Sequence, residues 1–272
     1  MTALEFLYRT GFGRLLLKPM ASRGLSRLCG AFLDTRMSKV FIKSFVKNNN
    51  IIEDDYIIDD IDSFNDFFCR RIKEGLRVIE TDPDVLMAPC DGLLTVYNID
   101  SDTVLPVKQS SYTISSLLKD EELAKTYKGG ICLVYRLCVD HYHRYCYVDS
   151  GSKSRNTFIK GVLHTVRPVA LAERPVFVEN CREYCVIDTK NFGKLIQMEV
   201  GAMLVGRIVN DCSGGAEVVR GEEKGHFEYG GSTIIVLVPE GTAVIRDDIY
   251  DSSLEGIETP VRMGEMVGKV IG

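Results

Sequence analysis

The sequence predicts an α+β protein, a helical N-terminal region set on a β-rich barrel or sandwich. Three observations carry that expectation. Apolar residues recur at helical spacing through the first 50 positions. After Pro83, short β-branched and aromatic runs alternate with Gly, Asp and Asn. One of those runs, 233–238, is apolar or β-branched throughout and follows a Gly pair, as a buried strand would. The expected division is 1–62, a basic membrane-associating region, and 63–272, a β-rich domain.

In the first region Leu4, Leu7, Tyr8, Phe12, Leu15 and Leu16 mark a helical stretch over 3–20. A second stretch, 37–46, carries Val40, Phe41, Ile42, Phe45 and Val46 among Lys39, Lys43 and Lys47. Either stretch fits a membrane interface with its cations at the headgroups, or an ordinary helix packed on the body. Residues 1–50 hold nine Lys or Arg against Glu5 and Asp34, a charge of +7. The whole chain has a net charge of −5, so the remainder carries −12. A basic arm on an acidic body calls for an anionic surface. With no nucleic-acid motif present, lipid is the expected partner and nucleic acid is not. Next, 59–63 offers a helix start, and Phe64, Phe67, Phe68 and Ile72 form one face of a short helix reaching Gly75.

The β-rich runs are 92–97, 131–139, 145–148, 176–178, 184–187, 195–200, 203–209, 233–238 and 242–245, and 115–125 is the fair helix candidate among them. The tail 261–268 reads as a tight β-turn. Nine cysteines without a secretory leader predict reduced thiols in a cytoplasmic setting. Glu5, Arg9 and Arg14 interrupt the N-terminal apolar stretch, so a spanning helix is not expected there. No Cys-x-x-Cys occurs, and no structural metal is expected.

Four places offer chemistry. Ser232 follows Gly230-Gly231 at the mouth of the 233–238 run, where its hydroxyl can attack the Gly231 carbonyl once a base takes its proton. Asp91, in Pro89-Cys-Asp-Gly92, is either an Asx-turn residue or an orienting carboxylate. His141 and His143 share one face of an extended segment. With Cys146 they make a thin metal set, or else one of them is a base. Arg174, Arg182 and Arg207 are candidates for a phosphate, because the guanidinium fork matches its oxygens.

Taken together, these motifs resemble the phosphatidylserine decarboxylase family. The resemblance runs from about Ser63 to the C-terminus. It rests on Ser63-Phe-Asn-Asp-Phe-Phe-Cys-Arg70, Pro89-Cys-Asp-Gly92, Tyr142-His-Arg144, Val200-Gly-Ala with Val205-Gly-Arg207, and Gly230-Gly-Ser-Thr233.

That resemblance implies a proenzyme with Asp91, His143 and Ser232 as its catalytic residues. A histidine oriented by Asp91 deprotonates Ser232, the Gly231–Ser232 bond breaks, and Ser232 becomes a pyruvoyl cofactor. The products are a β chain of 1–231 and an α chain of 232–272, a heterodimer with higher oligomers open. The pyruvoyl ketone forms a Schiff base with a substrate amine and takes up the electrons left by lost CO2. His143 is the first candidate to return the proton, since an ordinary imidazole titrates near 6.5. The substrate implied is phosphatidylserine in an anionic membrane, the product phosphatidylethanolamine, and the location the cytoplasmic face of the cell membrane. Here the chain departs from the commoner family pattern. Cys146 stands where many members have a second histidine, and His141 precedes the Tyr-His-Arg motif. The processing base is therefore His143, His141 or a Cys146 thiolate, with His143 expected. A pyruvoyl decarboxylase of another amino-acid-type substrate and an uncleaved membrane-binding relative remain open alternatives.

Overall fold

The computed structural model describes residues 2–100, 105–107, 110–202, 207–229 and 232–271. The peptide bond between Gly231 and Ser232 thus has only its serine side among the described residues.

The N-terminal stretch forms three helices, not one long one. These are α1 (Ala3–Arg9), α2 (Gly11–Met20) and α3 (Arg23–Leu33). Thr10 breaks the first pair: its backbone is extended, and its hydroxyl accepts from the Gly13 amide to start α2. Ser22 caps α3 in the same way. A 3₁₀ turn, Arg36–Phe41, then leads into α4 (Ile42–Asn49), and Ser63 caps the short α5 (Phe64–Phe68). Helices α1 and α2 do not stand apart from the body. Tyr8 and Leu17 lie in the same buried cluster as Ile235 and Leu237.

The body is built on a nine-stranded antiparallel sheet. In chain order its strands are β1 (Gly92–Asn98), β2 (Ile131–Leu137), β3 (Gly151–Lys153), β4 (Thr157–Ile159), β5 (Arg182–Thr189), β6 (Lys194–Val200), β7 (Ala216–Val218), β8 (Ser232–Val238) and β9 (Thr259–Val261). In space they run β7-β3-β5-β6-β8-β2-β1-β9, with β4 also on β5. The sheet is open between β7 and β9 among the described residues, so the expected barrel is not closed. A second sheet pairs Arg144–Cys146, Glu223–Phe227 and Ile208–Asn210, and a third pairs Val85–Met87, Met266–Val270 and Ala243–Ile245.

Strand β8 is the middle of this architecture. All seven of its residues are buried. Ile235 and Leu237 enter one core cluster, and Ile234, Val236 and Val238 enter the other. A strand covered on both faces loses the polar alternation of a half-exposed one, which is why it reads as a continuous apolar run.

Several expected elements differ. Residues 176–178, read as strand from their β-branched side chains, form the one-turn helix Val176–Glu179 after Pro175. The expected 115–125 helix is two helices, Ile114–Leu118 and Glu121–Lys125, divided where Lys119 turns left-handed at φ 56°. Of the expected strand over 203–209, the last part is present as Ile208–Asn210, and 203–206 lie outside the described residues. Helices α3 and Asp247–Leu254 were not expected.

Candidate functional site

The register of β8 on β2 sets Ser232 opposite Leu137, the last residue of β2. The chain then turns at once, through a backbone hydrogen bond from the His141 amide to the Cys138 carbonyl. That tight reversal returns His143 beside the start of β8. The Phe227 amide donates to the His143 carbonyl, fixing its backbone to the strand just before the Gly pair.

Ser232 and His143 are both buried, and Ser232 Oγ lies 3.3 Å from His143 Nδ1. The other ring nitrogen, Nε2, is 3.0 Å from the Cys138 carbonyl oxygen. A carbonyl only accepts, so Nε2 carries the hydrogen. In the neutral ring Nδ1 then has a bare lone pair, and that lone pair faces the serine hydroxyl. The protonation state follows from the surroundings. Burial pushes His143 well below its ordinary value, with the Arg70 guanidinium and His141 acting the same way, and the Cys138 carbonyl opposes them. At neutral pH the ring is an uncharged acceptor aimed at Ser232.

Helix α5 builds the wall. Phe68 lies against the His143 ring with centroids 4.1 Å apart and planes inclined by 32°. Asn65 accepts from the Tyr229 amide through its side-chain oxygen, holding the segment that leads to Ser232. Arg70 is buried, with its guanidinium 4.1 Å from the Tyr56 ring centre. Its NH1 donates to the backbone carbonyls of Phe67 and Phe68 in α5.

Asp91 is placed differently from the expected triad. Its carboxylate takes a two-pronged contact from Arg77, with Arg77 Nε 2.7 Å from Oδ1, and accepts the Met263 amide at 2.9 Å. That amide is presented by the tight turn at Gly264, whose φ of +86° suits glycine. His143 has both nitrogens engaged elsewhere, so its orienting group is the Cys138 carbonyl and not Asp91. The Asp91 charge is felt at His141, where burial lowers the ring's pKa and Asp140 first, then Asp91, counter it. Arg77 gave no signal in the sequence. Phe68 and Arg70 stood inside a recognised motif without a role.

The remaining candidates separate cleanly. Cys146 is buried, its thiol is 3.4 Å from the Pro89 carbonyl, and burial pushes it up to about 12, which rules out a thiolate base near neutrality. The set His141, His143 and Cys146 is not brought together as a metal site. Cys138, Asp140 and His141 do have donor atoms within 4.8 Å of one another, but Arg136 NH1 already donates to the Cys138 sulfur. Arg182 is excluded as a phosphate ligand, because its guanidinium is spent on the carbonyls of Leu117, Val178, Asn180 and Ser116. Arg174 lies 3.6 Å from Glu179. Arg207 is exposed and pairs with Glu228.

A bare imidazole nitrogen against a buried serine, at the head of a central strand, defines a centre for proton transfer at a hydroxyl. Comparison with known proteins specifies it further. The family model for phosphatidylserine decarboxylase matches residues 64–269. The chain is 44% identical over 267 residues to phosphatidylserine decarboxylase proenzyme 2 of Clostridium acetobutylicum, covering 98% of this chain and 91% of that one. It is 41% identical to the phosphatidylserine decarboxylase proenzyme of Ruminiclostridium cellulolyticum, with 98% and 91% covered. It is 38% identical to that of Clostridium botulinum strain Alaska E43, with 98% and 92% covered. The chain belongs to the phosphatidylserine decarboxylase family.

Proposed function

We propose that the chain is a self-processing proenzyme that converts phosphatidylserine to phosphatidylethanolamine and CO2. The observation that carries this reading is the unprotonated Nδ1 of His143 facing Ser232 Oγ at 3.3 Å. In the processing step His143 Nδ1 takes the hydroxyl proton while Oγ bonds to the Gly231 carbonyl carbon. The peptide C–N bond breaks, the Ser232 nitrogen receives a proton, and an ester replaces the amide. Removal of the Ser232 α-proton then breaks the Cβ–O bond and releases the Gly231 carboxylate. The dehydroalanine left behind is hydrolysed, ammonia departs, and a pyruvoyl group caps the 232–272 chain.

Ser232 suits that group, being fully buried with a proton-transfer atom in reach. When present, the pyruvoyl group supplies the electron sink for losing CO2 from an amino acid. This chain's own residues supply the rest. His143 holds or returns a proton at Nδ1, Phe68 covers the ring, and the Cys138 carbonyl fixes the tautomer.

We place this work at a membrane surface, on the cytoplasmic face of the cell membrane, and the N-terminal helices support the membrane contact. Phe12 and Leu15 of α2, Leu28 of α3, and Met37 and Val40 of the 3₁₀ turn are each more than 60% exposed. Arg14, Lys18, Arg36 and Lys39 lie among them in the sequence, the pattern of an interfacial anchor. Among the described residues no helix is long and apolar enough to cross a membrane.

The denatured intact mass of purified protein tests the reading. Two chains divided at 231/232, the shorter of 41 residues carrying a pyruvoyl end, are expected, with Ser232→Ala remaining one chain of 272. A single uncut chain in the unmodified protein rejects it and leaves an uncleaved membrane-binding relative.

A further inference from the structure

We propose that the cleft between α3 and the sheet edge binds the phosphodiester of a glycerophospholipid, an assignment that rests on the phospholipid reading above. The cleft has a volume of about 290 Å³. Arg23, Ser26 and Arg27 enter it from one face of α3, at the i, i+3, i+4 spacing that aligns side chains along a helix. Arg207 and Glu228 also line it, and Asp34 stands at the end of the helix.

Two features mark the cleft as made for an anion. Ser26 is 6% exposed, and among the described residues its hydroxyl oxygen has no hydrogen-bond partner. A buried hydroxyl left unmatched costs free energy that a ligand oxygen would recover. The guanidinium groups are also unevenly matched. Arg207 is paired with Glu228 at 2.8 Å, and Asp34 accepts from Asn65 at 2.7 Å. Among the described residues neither Arg23 nor Arg27 has a carboxylate partner. Arg23 instead lies 5.7 Å from the centre of the Phe158 ring.

Three guanidinium groups against two carboxylates leave one net positive charge. That matches the single charge of a phosphodiester better than the nearly doubled charge of free phosphate. Arg fits the paired oxygens of such a group by geometry as well as charge. The surroundings suit a lipid. Leu28 and Phe32 on the adjoining face of α3 are exposed, as acyl chains require of the surface next to their headgroup. On the inner side, Glu228 is followed by Tyr229, which the Asn65 side chain holds on the way to Ser232. The cleft lining thus runs from α3, whose outer face is apolar, to Glu228, four residues before Ser232 in the chain.

The test uses the full-length purified protein and dihexanoyl phosphatidylcholine below its micelle concentration, a diester with no carboxylate to lose. Binding is measured by titration calorimetry, and intact mass confirms that each variant is processed like the parent. Arg27→Gln should raise Kd about tenfold, the low end for a lost charged hydrogen bond. Ser26→Ala should raise it by about two- to fivefold, as for a neutral one. Lys190→Gln, an exposed site in the β5–β6 turn at the far end of both strands, should leave it unchanged. With dihexanoyl phosphatidylserine as substrate, Arg27→Gln should raise KM by the same factor and leave kcat within about twofold. Equal affinity in the parent, Arg27→Gln and Ser26→Ala overturns the assignment. So does displacement of the diester by inorganic phosphate at lower concentration, which would make the cleft a free-phosphate site. Diester binding that depends on Arg27 in a protein releasing no CO2 upholds the cleft and rejects the decarboxylase reading.

Discussion

Two buried polar centres meet at the middle of this protein, and they are built on opposite principles. On β6, Glu199 is fully buried and paired with Lys224 at 2.7 Å, and Asn210 contacts both, donating to Glu199 and accepting from Lys224. Burial raises the Glu199 pKa, and the Lys224 ammonium pulls it back down. One strand over, on β8, Ser232 faces a histidine that burial and a nearby guanidinium keep uncharged. The first centre is an ion pair whose charges are matched, so its ammonium and the paired carboxylate oxygen are committed. The second keeps one lone pair directed at one hydroxyl, with no stronger donor competing for it among the described residues. Comparable burial thus produces a clamp in one place and a reactive group in the other. The difference is whether the charges are matched or suppressed.

Replacing His143 tests the reactive side and should have the largest effect. His143→Gln preserves much of the side-chain volume but removes the base. Self-cleavage followed by intact mass should slow by about 10²- to 10⁴-fold. The parent enzyme's processing rate should also stay level as the pH falls from 8 through about 6.5, where an ordinary histidine takes a proton. The sign follows from the lowered pKa: the folded ring remains a base until the pH drops below that value, while the unfolded ring is already protonated. For the same reason the His143 contribution to stability falls as the pH goes below about 6.5. A rate that halves near pH 6.5 would mean that the imidazole is solvated and the burial argument wrong.

The matched centre should respond in stability and not in chemistry. Lys224→Met leaves Glu199 buried without its cation, a loss of about 3–5 kcal/mol. Urea unfolding measures it. Changing both residues to apolar ones of similar volume should recover much of that loss, because the stranded charge is gone. If Lys224→Met proved nearly neutral, Glu199 would have to be protonated in the parent protein and the pair would not be ionic.

The same contrast explains what the sequence revealed. Strand β8 was legible because burial on both faces leaves its own mark, seven positions without an exposed one. Ser232 and His143 were legible because each sits in a short local motif. The partner of Asp91 was not. Arg77 meets it from 14 residues away, and no local pattern encodes that contact. The orienting group of His143 is a backbone carbonyl, which any residue at position 138 would provide, so the sequence marks no residue for it, and the resemblance pointed to Asp91 instead. The unexpected α3 has a related cause. Its cleft side carries Arg23, Ser26 and Arg27 where a core-facing helix would show apolar residues, and the helical period is obscured by those polar positions. The 176–178 misreading came from β-branched side chains that favour strands in general, but Pro175 and the Asn180 amide, which donates to the Val176 carbonyl, fix a single helical turn there.

Phe68 offers the finest discrimination between the two centres. Its ring lies on His143 but shares no hydrogen with it, so it acts through packing and exclusion of water. It also belongs to the aromatic cluster with Phe64, Phe45 and Tyr229 that holds α5 against the segment before Ser232. Phe68→Leu keeps the site apolar while removing the ring contact, a loss of about 0.5–1.5 kcal/mol beyond the area buried. Processing should slow by about three- to tenfold, with the imidazole less restrained and the base more hydrated. Hydration should also raise the His143 pKa toward its ordinary value, so the processing rate of Phe68→Leu should begin to fall at a higher pH than that of the parent. A uniform slowing with an unshifted pH profile would assign Phe68 to holding α5 in place. A shifted profile would assign it to keeping the base dry, which is the property that separates the Ser232 centre from the ion pair on β6.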